Sequence, residues 1–183
     1  MAQVPSKLLH VFARRWSIPI LAELKRSNGS KFVTLSRRLG ANSVAVRQSL
    51  DHLIALGLAR PNPGYGHPLR PEYILTADGE AMGPASIALD LAINRLELHE
   101  SALRRWSMPA LLVVGRASPA RFSDIGRSLG PVTDRALALT LKKLQSTAIV
   151  KRQVEASFPP APLYTVDRRG KPLLEPLEEL ASA

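Results

Sequence analysis

The chain has 183 residues, 45% of them hydrophobic, and 25 Lys and Arg against 15 Asp and Glu give it a formal charge of +10. That apolar content fills one large core or two small ones, and the absence of cysteine excludes disulfides, thiolate catalysis, Cys-ligated zinc and thiol redox sensing. Residues 1–7 are too polar for a signal peptide and no apolar run approaches the roughly 18 residues of a membrane span, so a cytoplasmic protein without membrane contact is expected.

In chain order, residues 16–25 carry apolar side chains at 16, 18, 20, 21 and 24, the spacing of a buried helical face, with Pro19 early enough that its missing N–H costs little. Residues 32–39 predict a short second helix with Val33, Leu35 and Leu39 as core positions and Gly40 closing it. Asn42 or Ser43 then caps a third helix running to Leu53. Val46, Leu50 and Leu53 face inward on it, and Ala45, Arg47, Gln48, Asp51 and His52 face outward. This is a helix-turn-helix pattern. Residues 57–60 and 72–75 predict two strands around the turn-rich stretch 61–68, a candidate wing.

Residues 84–104 continue as an uninterrupted helical pattern. Ile87, Leu91, Leu98 and Ala102 lie on one stripe and Leu89, Ile93, Leu96 and Leu103 on the next, an apolar face broad enough to require covering.

The chain then repeats itself. Arg14-Arg15-Trp16-Ser17-Ile18-Pro19-Ile20-Leu21 recurs as Arg104-Arg105-Trp106-Ser107-Met108-Pro109-Ala110-Leu111, 90 residues later. Lys31-Phe32 meets Arg121-Phe122 at the same offset. Beyond residue 42 the offset becomes 91, pairing Leu50, Leu53, Tyr73 and Gly79 with Leu141, Leu144, Tyr164 and Gly170. A repeat of that size suits a folded domain rather than a solenoid. The second copy predicts a helix from Trp106, another over 122–129, and a third capped by Thr133 with Leu137, Leu141 and Leu144 inward. Strands over 149–152 and 162–166 follow, and Asp167 is the expected cap of a short final helix. The fold class is therefore mainly α with small β-wings (α+β): two tandem winged helix-turn-helix domains, 1–92 and 93–183, joined by a long helix over 84–104. Eleven basic and six acidic residues precede position 93, and 14 and nine follow, so each half carries +5.

These residues resemble the HxlR family of winged-helix regulators, related in architecture to the MarR family. The likeness runs through Trp16, Lys31-Phe32, the helix from Ser43 to Leu53, Pro68, the segment Pro71-Glu72-Tyr73-Ile74-Leu75-Thr76, and Gly79. It runs again through Trp106, Arg121-Phe122, the helix from Thr133 to Leu144, Pro159-Pro160, Tyr164-Thr165-Val166-Asp167, and Gly170. Family members usually carry one such domain and dimerise through terminal helices, so the fusion of two implies an intramolecular pseudo-dimer. A position often held by Arg or Gln late in the recognition helix is Ser49 here and Thr140 in the second copy. Oxidant sensing through cysteine, known in several members, has no residue to operate through here.

A recognition helix reads base edges in the major groove while Lys, Arg and backbone N–H groups grip phosphates. In the first copy Ser43, Ala45, Arg47, Gln48 and His52 are the candidate readers, Arg47 for guanine and Gln48 for adenine; the alternative for Arg47 is an ion pair with Asp51 on a solvated face. In the second copy Thr133, Arg135, Ala138, Lys142 and Lys143 are the candidates. Asp134 repels phosphate, with the alternative of a favourable first-turn carboxylate at the helix dipole, and Leu139 stands where Gln48 does, which suits grip better than reading. Lys31, Arg37, Arg38, Arg121 and Arg127 beside the second helices, and Arg60, Arg70, Lys151 and Arg152 at the wings, are candidate phosphate contacts, each with the alternative of a solvated charge. Trp16 and Trp106 are expected as core anchors. Arg14-Arg15 and Arg104-Arg105 start helices whose dipoles disfavour cations, which a phosphate partner would relieve.

The histidines at 10, 52, 67 and 99 show no metal spacing, and no Ser, His and Asp set recurs, so a non-enzymatic protein without cofactor is expected. Double-stranded DNA is the expected partner and transcription regulation the expected role, with the chain expected to be nucleoid-associated when bound. The alternatives are an architectural or replication-associated DNA-binding protein, or a winged-helix protein-interaction module, against which the +5 on each half argues. A homodimer of tandems and a small-molecule effector are left open.

Overall fold

The structure is a computed structural model that describes residues 3–64, 71–155 and 161–183. A helix that the pattern reading missed, α1 (Ser6–Val11), comes first, burying Leu8 and Val11. The first core helix follows as α2 (Ser17–Ser27), with Ile18, Ile20, Leu21 and Leu24 buried and Pro19 in its first turn, where the helix has no use for an N–H. The two-residue strand β1 (Ser30–Lys31) leads into α3 (Phe32–Leu39), which ends on Gly40 in the left-handed region. Then come α4 (Ser43–Ala55), β2 (Ala59–Pro61) and β3 (Glu72–Leu75). The second half runs through α7 (Ser107–Arg116), β4 (Ala120–Arg121), α8 (Phe122–Leu129), α9 (Asp134–Ser146), β5 (Val150–Glu155) and β6 (Ala161–Val166). Both sheets are antiparallel with the same topology, β1-β3-β2 and β4-β6-β5. The fold is mainly helical with small antiparallel sheets, a winged-helix α+β architecture. Among the described residues no helix is long and apolar enough to cross a membrane.

The helix expected over 84–104 is not one helix. α5 spans Ala77–Arg95, starting on the side-chain cap of Thr76, and a second short helix, α6, covers His99–Ala102. Between them Glu97 takes a φ of 54°, and the Leu98 N–H returns to the Ile93 carbonyl at 3.0 Å. The reason is burial in two directions. Leu89 and Ile93 are buried along α5 while Leu98, Ala102 and Leu103 are buried past the break, and a straight helix presents one stripe to one surface. Arg169 caps the break by donating to the Leu96 carbonyl and, at 3.2 Å, to the Thr147 carbonyl. Leu91, placed on the buried stripe by its spacing, is 53% exposed.

The last helix, α10 (Lys171–Ser182), is long rather than short, and Gly170, not Asp167, occupies its N-cap. The Asp167 carboxylate instead accepts from the Arg168 N–H at 2.7 Å. Val33 is a further correction: it is 67% exposed, while Leu35 alone of α3 is fully buried. With 3.6 residues per turn, Val33 and Leu35 lie about 200° apart, so burying one exposes the other.

α2 and α5 are joined by ion pairs as well as packing: Arg26 meets the nearly buried Asp90 at 2.7 Å and Lys25 meets Glu80 at 2.5 Å. The helix contacts include α5 against α10, and one buried apolar cluster runs through both halves from Val4 to Leu180. The repeat also exchanges sizes between its copies. In the first, Lys25 lies over Gly83; in the second, Leu174, the counterpart of Gly83, lies over Gly115, the counterpart of Lys25.

Candidate nucleic-acid interface

α3 and α4 are separated by three residues, and Asn42 caps α4 by accepting from the Val44 N–H at 2.8 Å. Val46, Leu50 and Leu53 are buried, so α4 is locked by one face and its first turn is left outside. Ser43 and Gln48 are exposed and Ala45 is half-buried. Val44, absent from the expected reading set, is 62% exposed at the start of the helix. Its apolar type at a position two residues past the cap concealed it, because a valine beside Val46 reads as core.

Arg47 is held against its own domain. Its guanidinium lies 3.8 Å from the centroid of Phe32, donates to the Tyr73 hydroxyl at 2.8 Å, and stands 3.8 Å from the Asp51 carboxylate. His52 Nε2 donates to the His10 carbonyl at 2.8 Å, tying α4 to α1. Ser49, at the position where the family often has Arg or Gln, is buried and returns its hydroxyl to the Ala45 carbonyl at 2.9 Å, so it faces the core rather than the groove.

Arg38 pairs with the nearly buried Glu23 across from α2. Arg37 and Arg60 are exposed without an ion pair among the described residues, and Lys31 is exposed on β1. Arg70 lies outside the described residues, as do Pro68, Pro159 and Pro160.

The second copy is built alike. Thr133 caps α9 by accepting from the Ala136 N–H at 3.3 Å, and Leu137, Leu141 and Leu144 are buried. Arg135, Ala138 and Lys142 are exposed, Lys143 is half-buried, and Leu139 is 60% exposed. Arg121 reaches Glu155 at 3.4 Å and Arg127 reaches Asp124 at 3.1 Å, while Lys151 and Arg152 are exposed on β5. Ala138 replaces Arg47, so no cation from that position of α9 lies over Phe122.

Trp16 and Trp106 sit at the N-caps of α2 and α7, half-buried against the core rather than inside it. The Arg15 guanidinium lies 5.6 Å from the Trp16 ring and that of Arg105 lies 4.7 Å from the Trp106 ring. Glu100, on α6, pairs with Arg15 at 2.5 Å. The hydrogen bond and charge of Arg15 hold the Glu100 carboxyl below the usual carboxylate range, and the charges of Arg104 and Lys143 act in the same direction.

Two helices joined by a tight turn, the second capped and exposed along its first turn and followed by an antiparallel hairpin, define a winged helix-turn-helix. A family model for the HxlR-like helix-turn-helix matches residues 103–182. An uncharacterized HTH-type transcriptional regulator of Halalkalibacterium halodurans is 32% identical over 76 residues, which is 42% of this chain and 67% of that protein. A second, from Methanothermobacter thermautotrophicus, is 35% identical over 60 residues, 33% of this chain and 46% of that protein. The crystal structure of diamide-treated YodB from B. subtilis aligns at 28% identity with a TM-score of 0.40, covering 45% of this chain and 81% of that one. The chain belongs to the HxlR-like helix-turn-helix family.

Proposed function

We propose that the chain is a sequence-specific, double-stranded-DNA-binding transcriptional regulator that acts as an intramolecular pseudo-dimer. Its two winged-helix units are residues 1–92 and 93–183, and each offers one recognition helix. The observation that carries this reading is the pair of capped helices α4 and α9 with exposed first turns, each following a helix with a surface arginine, Arg37 or Arg127. The curated relatives are named as HTH-type transcriptional regulators. The packing of α5 on α10, each the last helix of its unit, supports an internal dimer-like arrangement.

In this reading α4 discriminates and α9 mainly grips. Gln48 contacts base edges, Ser43 hydrogen-bonds at the groove, and the exposed methyls of Val44 suit the thymine methyl group. Arg47 acts mainly as a strut that fixes α4 on Phe32 and Tyr73. At the position of Gln48 the second unit has Leu139, and at that of Val44 it has Arg135, so an asymmetric operator is expected. Arg37, Arg60, Arg135, Lys142, Lys151 and Arg152 hold phosphates, and two units of this kind span half-sites about 34 Å apart.

The test is a titration of the full chain onto genomic DNA fragments, its own upstream region included, at two salt concentrations with excess competitor. Salt-sensitive binding that survives competitor on a few fragments is the expected result. Equal, competitor-sensitive binding to every fragment would replace this reading with an architectural one, and no binding at low salt would end both.

A further inference from the structure

The repeat brings two copies of one motif to a single place. A cleft of about 470 Å³ is lined on one side by Ala13 and Arg15 and on the other by the segment from Leu103 to Trp106. Ala13 and Leu103, like Arg15 and Arg105, are 90 residues apart in the chain. In the pseudo-dimer reading, equivalent residues that share one cleft lie near the local two-fold axis relating their units, because only near such an axis do equivalent points approach each other. Ala136, Leu139 and Thr140 of α9 form the remaining wall. α4 borders the same junction from the other unit, since His52 is bonded to the carbonyl of His10, three residues before Ala13.

Charge in the cleft is unbalanced. Arg15, Arg104 and Arg105 contribute three guanidinium groups, and Lys143 is close enough to act on Glu100. Glu100 is the carboxylate among them, and it is paired with Arg15. Arg104 donates to the Glu100 backbone carbonyl at 2.9 Å, and Arg105 rests on Trp106; among the described residues neither forms a salt bridge, though the charge of Arg104 acts on the Glu100 carboxylate. Both side chains are thereby held in place while their charges face solvent, a pre-arrangement suited to an oxyanion.

Resting on the DNA-binding reading, we propose that this cleft is a phosphate-binding site that takes the duplex backbone where it passes between the two recognition helices. A duplex bound to a pseudo-dimer places its own local two-fold on that of the protein. The backbone flanking the central minor groove then meets the junction, and the three arginines neutralise consecutive phosphates. Glu100 orients Arg15 and at the same time limits the net charge, restraining non-specific binding.

The experiment measures binding of the full chain to a mixed-sequence duplex of about 30 base pairs across a salt series. It compares wild type with R104Q/R105Q, a charge-matched R168Q/K171Q control and E100Q. Losing two phosphate contacts lowers the slope of log K against log salt by about 2. R104Q/R105Q is expected to show that change with a tenfold or greater loss of affinity, the control less than a twofold loss, and E100Q a gain of severalfold. R104Q/R105Q is expected to stay folded at the binding temperature, checked by circular dichroism, with its thermal midpoint lowered only as far as the lost contacts of Arg104 with the Glu100 carbonyl and of Arg105 with Trp106 require. If R104Q/R105Q tracks the control, or E100Q weakens binding, the proposal is wrong while DNA binding stands; if wild type binds no duplex, the DNA reading itself falls. Trp106 fluorescence in a W16F background, titrated with pyrophosphate, separates the remaining source of anion. A pyrophosphate response lost in R104Q/R105Q, with the duplex slope unchanged, would assign the cleft to a small anion and overturn the proposal.

Discussion

Gly79 and Gly170 show how a single residue type follows from a backbone contact. A Cβ at Gly79 would sit 1.9 Å from the Leu58 carbonyl oxygen, and one at Gly170 would sit 2.3 Å from that of Ile149. The obstacle in both cases is main chain, which cannot rotate aside, so G79A and G170A should each cost roughly 3 kcal/mol in urea unfolding. Gly57 is a different case: its φ is 71°, but nothing lies within 4 Å of a Cβ there. Its counterpart Ala148 holds a φ of 55° with a side chain. G57A should therefore cost about 1 kcal/mol, and A148G should stabilise the protein by up to about 1 kcal/mol. Equal effects of G57A and G79A would mean that the carbonyl contact is relieved by a backbone shift. The glycines could be seen in the sequence, but the separate reasons for Gly79 and Gly57 could not, since a close approach and a left-handed φ leave the same letter.

At the scale of the element, α4 was well specified by its own residues. A cap at Asn42 or Ser43, of which the structure uses Asn42, and the inward set Val46, Leu50 and Leu53 could be read from the chain, because a helix places residues three and four apart on one face. Which outward residues are available was not specified, because Arg47, His52 and Ser49 make their contacts with Phe32 and Tyr73, with α1, and with the helix itself. This separates two neighbouring substitutions. Q48A should leave the thermal midpoint within error and weaken binding to a selected fragment by about 1–3 kcal/mol. R47A should lower the midpoint as well, by removing a stacked, hydrogen-bonded guanidinium worth about 1–2 kcal/mol. A variant Q48A that binds its selected fragment as wild type does would remove Gln48 from the reading set. α5 illustrates the opposite limit: its apolar periodicity carries on past residue 95, and the break at Glu97 exists because Leu98 and Leu103 pack on a different surface from Leu89.

Across the whole molecule, the two halves share their interior. The Val4 N–H donates to the Ser128 carbonyl at 3.0 Å, α5 packs on α10, and the buried cluster is continuous. One tryptophan lies in each half, so W16F and W106F each leave a reporter for one unit. Their urea transitions should coincide, and L180A, which truncates a buried side chain of α10, should shift both by the same amount, with a cost of about 2–5 kcal/mol. A shift in the Trp106 signal alone would show that the units unfold separately. The duplication, the helix-turn-helix spacing and the excess of positive charge on each half are properties of covalent order and composition, and reading the chain was enough to find them. The end of α5, the anchoring of Arg47 and the meeting of Arg15 with Arg104 and Arg105 at one cleft depend on contacts between residues far apart in the chain. No local periodicity encodes such contacts, because they arise only when the second copy of the motif folds back onto the first.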